Sequence, residues 1–136
     1  MLENINEISI LVAAILAAAV GSIWYSPLLF GTVWMKSIGL TLEEGELPKK
    51  QMMIATLKGV VLHALFFYVI GEYVKVSIQN NVSLAYLAAS LLILISAHTA
   101  QGVLWEKRPV AYVLIQGGYM ALVLFGGVAV IAFWPW

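Results

Sequence analysis

An all-α integral membrane bundle of four transmembrane helices, with a short interfacial segment after the first, is the fold this sequence predicts. Two observations predict it. First, 62% of the 136 residues are hydrophobic and only 10% are charged, with a mean hydropathy of +0.96. Soluble domains are about half apolar and about a quarter charged. Second, four stretches stay apolar over the roughly 20 residues a helix needs to cross hydrocarbon. The same composition excludes disorder, and the continuous runs argue against a β-barrel, whose strands alternate. Seven Lys/Arg balance seven Asp/Glu, so there is no basic footprint for nucleic acid. The chain has no cysteine, which excludes disulfides, thiol nucleophiles and thiolate metal sites.

The first span covers residues 8–25. Its N-terminal flank holds Glu3 and Glu7 without Lys or Arg, whereas a secretion signal is basic there, so a permanent span is expected. Residues 26–50 form the longest connection. Its first half, Pro27 to Lys36, is apolar but too short to span, and Leu29 and Val33 fall on one helical face, which suits a segment lying on the membrane. In the polar second half, Thr41 to Glu44 matches a capping box; a plain solvated loop fits equally well. The second span covers residues 52–74, the third 82–105 and the fourth 110–134. The whole chain, 1–136, reads as one transmembrane domain.

Lys36, Lys49, Lys50, Lys107 and Arg108 fall in the first and third connections, and only Lys75 lies on the other side. The positive-inside rule places those two loops in the cytoplasm and both termini outside, in a cell (inner) membrane. Trp134 and Trp136 then mark the outer interface, and Trp24, Trp34 and Trp105 the inner one.

Ionisable and amide groups inside spans are costly and point to function. Lys58, His98 and Gln116 each lie six or seven residues from the cytoplasmic end of their span, a shared depth of roughly 10 Å at the helical rise. Gln101 and Tyr112 lie nearer that end, and His63 and Tyr119 lie deeper. Helical steps put Thr56, Gly59 and His63 on one face, and Ser90, Leu94, His98 and Gln101 on another. Tyr112, Gln116 and Tyr119 share a third. Lipid offers such groups no partner, so these faces are expected to turn inward. The expectation is a polar cluster of Lys58, His63, His98, Gln101, Tyr112 and Gln116. Taken singly, Lys58 also reads as a snorkelling lysine, and the histidines and glutamines as interhelical hydrogen-bonders.

The cluster carries one permanent cation and no carboxylate. Glu72 lies about 21 Å from Lys58 along the helix, and Glu106 reaches it only at the interface. Such a site suits a small anionic solute or a lipid head group. Two histidines without a third ligand do not make a zinc site, and no metal or cofactor is implied. Small-residue steps such as Ala14/Ala18 and Ala17/Gly21 in the first span, with Gly117, Gly118, Ala121, Gly126 and Gly127 in the fourth, mark close helix packing within or between chains. Four short spans leave little room for a pore, so a conducting role favours a homo-oligomer. No nucleophile elbow, His-Glu-x-x-His or phosphate loop is present, and there is no Asp. The leading reading is a protein that binds or moves a small polar or anionic solute. The alternative is a structural or regulatory subunit packed against a membrane partner, and an intramembrane enzyme comes last.

The run Gly21-Ser-Ile-Trp-Tyr-Ser-Pro-Leu-Leu-Phe-Gly31, followed by Trp34-Met-Lys36 and Gly39-Leu-Thr41, resembles the start of the family labelled domain of unknown function 1761. Glu106-Lys-Arg-Pro109, then Gly117-Gly-Tyr119 and Trp134, resemble that family's charged turn and last span. Gln116 stands where the family pattern leads one to expect Asn, a departure that keeps an amide. The resemblance covers nearly the whole chain, and it implies four spans with no defined activity. Trp24, Tyr25, Pro27, Phe30, Gly31 and Trp34 match its motif. Physically, Pro27 ends or kinks the first span, and the aromatic residues anchor that turn at the interface.

Overall fold

The computed structural model describes residues 6–41, 43 and 49–134. Glu3, Glu44 and Trp136 lie outside the described residues, and with them half of the capping box and one expected interfacial tryptophan. The described residues form five helices and no strand, and four of these helices are long and apolar enough to cross a membrane.

Helix α1 (Glu7–Trp24) starts where the Asn6 side chain accepts a hydrogen bond from the Ile8 amide at 2.9 Å. This cap satisfies one of the free amides at a helix start. Its buried stripe is Ser9, Ile10, Ala13, Ala14 and Ala17. These small side chains let the backbone approach its neighbours, and α1 packs on both the second and the last spanning helix.

The chain then turns sharply into α2 (Gly31–Ser37). The Phe30 amide donates to the Trp24 carbonyl at 3.1 Å and the Gly31 amide to the Ser26 carbonyl at 2.9 Å. A Cβ on Gly31 would sit 2.3 Å from the Tyr25 carbonyl oxygen, so only glycine fits the turn. Leu28, Leu29 and Val33 are exposed around this helix, the apolar outer surface expected of a segment lying on a membrane.

Helix α3 (Lys49–Gln79) is longer at both ends than the span read from hydropathy. Polar residues such as Lys75 and Gln79 end an apolar run without ending a helix; Asn80 and Asn81, the latter at φ 55°, do that. Helix α4 (Leu84–Trp105) is capped by Ser83, whose hydroxyl accepts from the Tyr86 amide at 3.4 Å. Helix α5 (Val110–Ala132) follows Pro109, which suits the position before a first turn because it lacks an amide hydrogen.

Helix α5 packs against each of the other four helices. Its inward stripe, from Ile115 through Tyr119, Val123, Leu124 and Gly127 to Ile131, follows helical periodicity. Phe67 and Leu124 are fully buried at the centre of the core. A Cβ on Gly127 would lie 2.0 Å from the Phe67 ring, so the missing side chain is what lets α3 and α5 close on that ring.

Candidate functional site

Two polar regions occupy the α2 end of the bundle. The first is an interior junction among α1, α3 and α5. The Tyr119 hydroxyl lies 3.0 Å from His63 Nε2 and 3.1 Å from the Ala17 carbonyl oxygen. His63 Nδ1 lies 2.8 Å from the Gly59 carbonyl one turn back. One turn nearer the α2 end, the Tyr25 hydroxyl donates to Gln116 Oε1, and the Trp24 indole donates to the Ile115 carbonyl at 3.1 Å. Aromatic rings close the gaps: Trp24 meets Phe30 at a tilt, 4.5 Å between ring centroids, and Tyr25 meets Tyr119 at 5.3 Å and Trp34 at 5.1 Å edge-on. Edge contacts of this kind are favourable because a ring's positive rim meets a negative face. Gly118 leaves the room that the Trp24 ring occupies, since a Cβ there would lie 2.8 Å from it.

The second region is an open cleft at the same end, between α4 and α5. It is lined by His98, Thr99, Gln101, Gly102, Trp105, Glu106 and Tyr112, with a volume of about 260 Å³. The Thr99 hydroxyl is taken up by the Ile95 carbonyl of its own helix at 2.8 Å. Among the described residues, His98 and Gln101 have no hydrogen-bond partner, and both are exposed. Arg108 folds back over the cleft's end, pairs with Glu106, and sets its guanidinium 4.8 Å from the centre of the Tyr112 ring. The hydrogen bond to Glu106 holds Arg108 still more firmly in its charged form.

The six residues nominated from the sequence therefore separate into three groups. His63 and Gln116 turn inward to the junction, and His98, Gln101 and Tyr112 line the cleft. Lys58 lies apart, on the outward face of α3 with Leu62 and Leu65. Lys58, His98 and Gln116 nevertheless lie at similar heights along the bundle. Tyr119 bonds both Ala17 and His63, so those two residues are level; seven residues on, Trp24 is level with Thr56, and Lys58 lies about 3 Å inside that level. Gly117 faces Ser96, where an added Cβ would sit 3.6 Å from the Ser96 hydroxyl. That contact sets His98 and Gln116 within about one turn of Lys58. What differs is the direction each side chain takes around its helix. Glu106, at the near end of α4, is paired with Arg108 instead.

Three features of the site were not among the six residues expected to form the polar cluster. Tyr119 is the hub of the junction, and its signal in the sequence was its place three residues beyond Gln116 on the same face. Tyr25 and Trp24 act as hydrogen-bond donors to α5, beyond anchoring a turn. Arg108 and Glu106 frame the cleft, a role that becomes visible only once the Lys107 backbone, at φ 54°, reverses the chain. The two sequence stretches that carry the family resemblance meet at the junction: Trp24, Tyr25, Phe30, Gly31 and Trp34 from one, Gln116, Gly118 and Tyr119 from the other. Trp34 Nε1 is buried without a hydrogen-bond partner among the described residues. The family model described as Protein of unknown function (DUF1761) matches residues 8–132. Among curated proteins and solved structures, no match was found.

Proposed function

The chain belongs to the DUF1761 family, and we propose that it binds a small polar or anionic group, a solute or a lipid head group, in the α4–α5 cleft. The observation that supports this is the pair His98 and Gln101, set without partners beside the Glu106–Arg108 pair and Tyr112. Hydrocarbon gives an imidazole or a carboxamide nothing to bond with, so a polar occupant that fills the cleft recovers what both groups lose on leaving water. Glu106 is the charged residue that lines the cleft and Arg108 pairs with it, so the adjoining turn with Lys107 leaves one net positive charge beside the cleft, which favours an anionic occupant. By the Lys/Arg count the cleft opens on the cytoplasmic side of a cell membrane, with both termini outside. Binding is favoured over conduction through one protomer, because the polar groups at the bundle's centre are bonded to one another.

Trp105 lines the cleft and reports on it. The chain in nanodiscs is titrated with short-chain phosphatidylglycerol, phosphatidylcholine and inorganic phosphate, and the Trp105→Phe variant isolates the Trp105 fluorescence. Saturable quenching by phosphatidylglycerol alone indicates a head group, and quenching by phosphate as well indicates a free anion. Replacing His98 and Gln101 together by Leu is expected to weaken either response tenfold or more, about 1.4 kcal/mol. Parent-like binding in that variant, or no saturable response to any probe, overturns the reading in favour of a structural role.

A further inference from the structure

We propose that His63 is a proton-binding site, and that the proton it takes up ties α1 to α5 through Tyr119. His63 Nδ1 faces the Gly59 carbonyl at 2.8 Å, and a carbonyl only accepts, so Nδ1 carries a hydrogen in every state. His63 Nε2 faces the Tyr119 hydroxyl at 3.0 Å, and that hydroxyl faces the Ala17 carbonyl at 3.1 Å. The phenol has one proton and two neighbours within reach.

When Nε2 is a bare lone pair, the phenol proton goes to it. The Ala17 carbonyl then faces a phenol oxygen with no hydrogen between them. When one proton is added to Nε2, the direction reverses. Nε2–H donates to the Tyr119 oxygen, and the Tyr119 hydroxyl donates to Ala17. Each of the three contacts is then a hydrogen bond, running from Gly59 through His63 and Tyr119 to Ala17. The step balances as one proton bound and one positive charge gained, with no other bond made or broken.

Among the described residues, no second charge faces His63. From α1, Tyr25 approaches Tyr119 edge-on, with its own hydroxyl engaged by Gln116. From α5, Tyr119 is the partner itself, and Tyr112 lies two turns away beside Arg108. On α3, Lys58 is turned well away around the helix, on the exposed side. On α4, His98 lines the cleft. The described carboxylates Glu7, Glu43, Glu72 and Glu106 lie on connections or towards helix ends. Carbonyl and hydroxyl dipoles alone therefore receive the imidazolium, and the added α1–α5 hydrogen bond is present at low pH and lost as pH rises. His63 is half-buried.

The test is ¹⁵N NMR of histidine-labelled protein in nanodiscs between about pH 5 and about pH 8, with His98→Gln leaving one imidazole. The expected result is that Nε2 moves from the imine to the imidazolium shift, and that the Tyr119 ring carbon bearing the hydroxyl shifts with the same midpoint. The chain has no cysteine, so spin labels on Ala19→Cys and Leu122→Cys then read the α1–α5 separation. That distribution is expected to narrow on acidification in the parent, and to lose its pH response in Tyr119→Phe and in His63→Gln. An Nε2 that stays unprotonated throughout, a Tyr119 signal that ignores the titration, or a pH response that survives in either variant overturns the proposal. Should Tyr119→Phe fail to assemble, His63→Gln decides alone.

Discussion

The junction and the cleft are built from the same chemistry and put it to opposite uses. Each contains an imidazole, a carboxamide and a phenol: His63, Gln116 and Tyr119 in one, His98, Gln101 and Tyr112 in the other. At the junction Tyr119 contacts His63 and the Ala17 backbone of α1, and Gln116 accepts from the Tyr25 hydroxyl. In the cleft the imidazole and the amide remain open. Composition is alike; the two phenols share a face of α5 and differ in depth by two turns, whereas the imidazoles and amides differ in the direction they take around their helices. A polar side chain facing three packed helices is drawn into the fold's own hydrogen bonds, whereas one at the seam of two helices is left for something else. Interhelical hydrogen bonds in membranes are worth about 0.6 kcal/mol on average. The junction's polar contacts therefore select an arrangement more than they hold it, and the holding falls to the apolar core beside it.

The largest expected effect tests that division. Gly127→Leu drives a side chain into the Phe67 ring, because even a Cβ there would lie 2.0 Å from it. Gly126 has open space around its Cβ position, so Gly126→Leu is the matched control. Overpacking costs about 1–3 kcal/mol and occasionally more. Gly127→Leu is expected to lower the thermal midpoint in detergent by several degrees or to abolish assembly, with Gly126→Leu close to the parent. Equal midpoints would mean that the core does not hold α3 and α5 together as described.

The next effect separates the two phenols. Tyr119→Phe strips the hydroxyl from His63 and Ala17 together, and a loss of about 1–2 kcal/mol in unfolding free energy is expected. Tyr112→Phe removes a hydroxyl that joins no helices and is expected to stay within about 0.5 kcal/mol of the parent. A reversed order would exchange the structural roles assigned to the two regions.

Smaller in stability, but decisive for function, is the paired change of His98 and Gln101 to Leu. Both groups lack partners, so their loss is expected to leave the unfolding free energy within about 0.5 kcal/mol while weakening cleft binding tenfold. A variant that unfolds as easily as Tyr119→Phe would show that His98 and Gln101 are structural after all.

The pattern of these effects also shows what could be read from the residues alone. The helical class, the four spans and the short apolar segment followed from run length and composition, which are properties of each stretch by itself. The common depth of Lys58, His98 and Gln116 followed from counting along each helix. Which way each face turns depends on the neighbouring helices, and a helix with apolar residues on every side carries little record of that choice. Residues 52–62 show the difficulty: Met52, Met53, Leu57 and Leu62 are exposed although all are apolar. The expectation that polar faces turn inward held for His63 and Gln116, where glycines and alanines of α1 and α5 make room. For His98 the neighbouring seam is open instead.

Lys58 gives the smallest expected effect and the sharpest use of the depth argument. Counted from the start of its apolar run, it lies about 10 Å inside the span, farther than its side chain comfortably reaches. Counted from the Trp24 level through the Tyr119 contacts, it lies about 3 Å inside, and the stem can run back along the exposed Ile54 while the ammonium stays in the head-group region. Lys58→Met exchanges one such stem for another of similar length. Unfolding free energy within about 0.5 kcal/mol of the parent and unchanged quenching of Trp105 are expected. A tenfold loss of binding would instead bring Lys58 into the site, and would require the outward face of α3 to meet the cleft of a second chain.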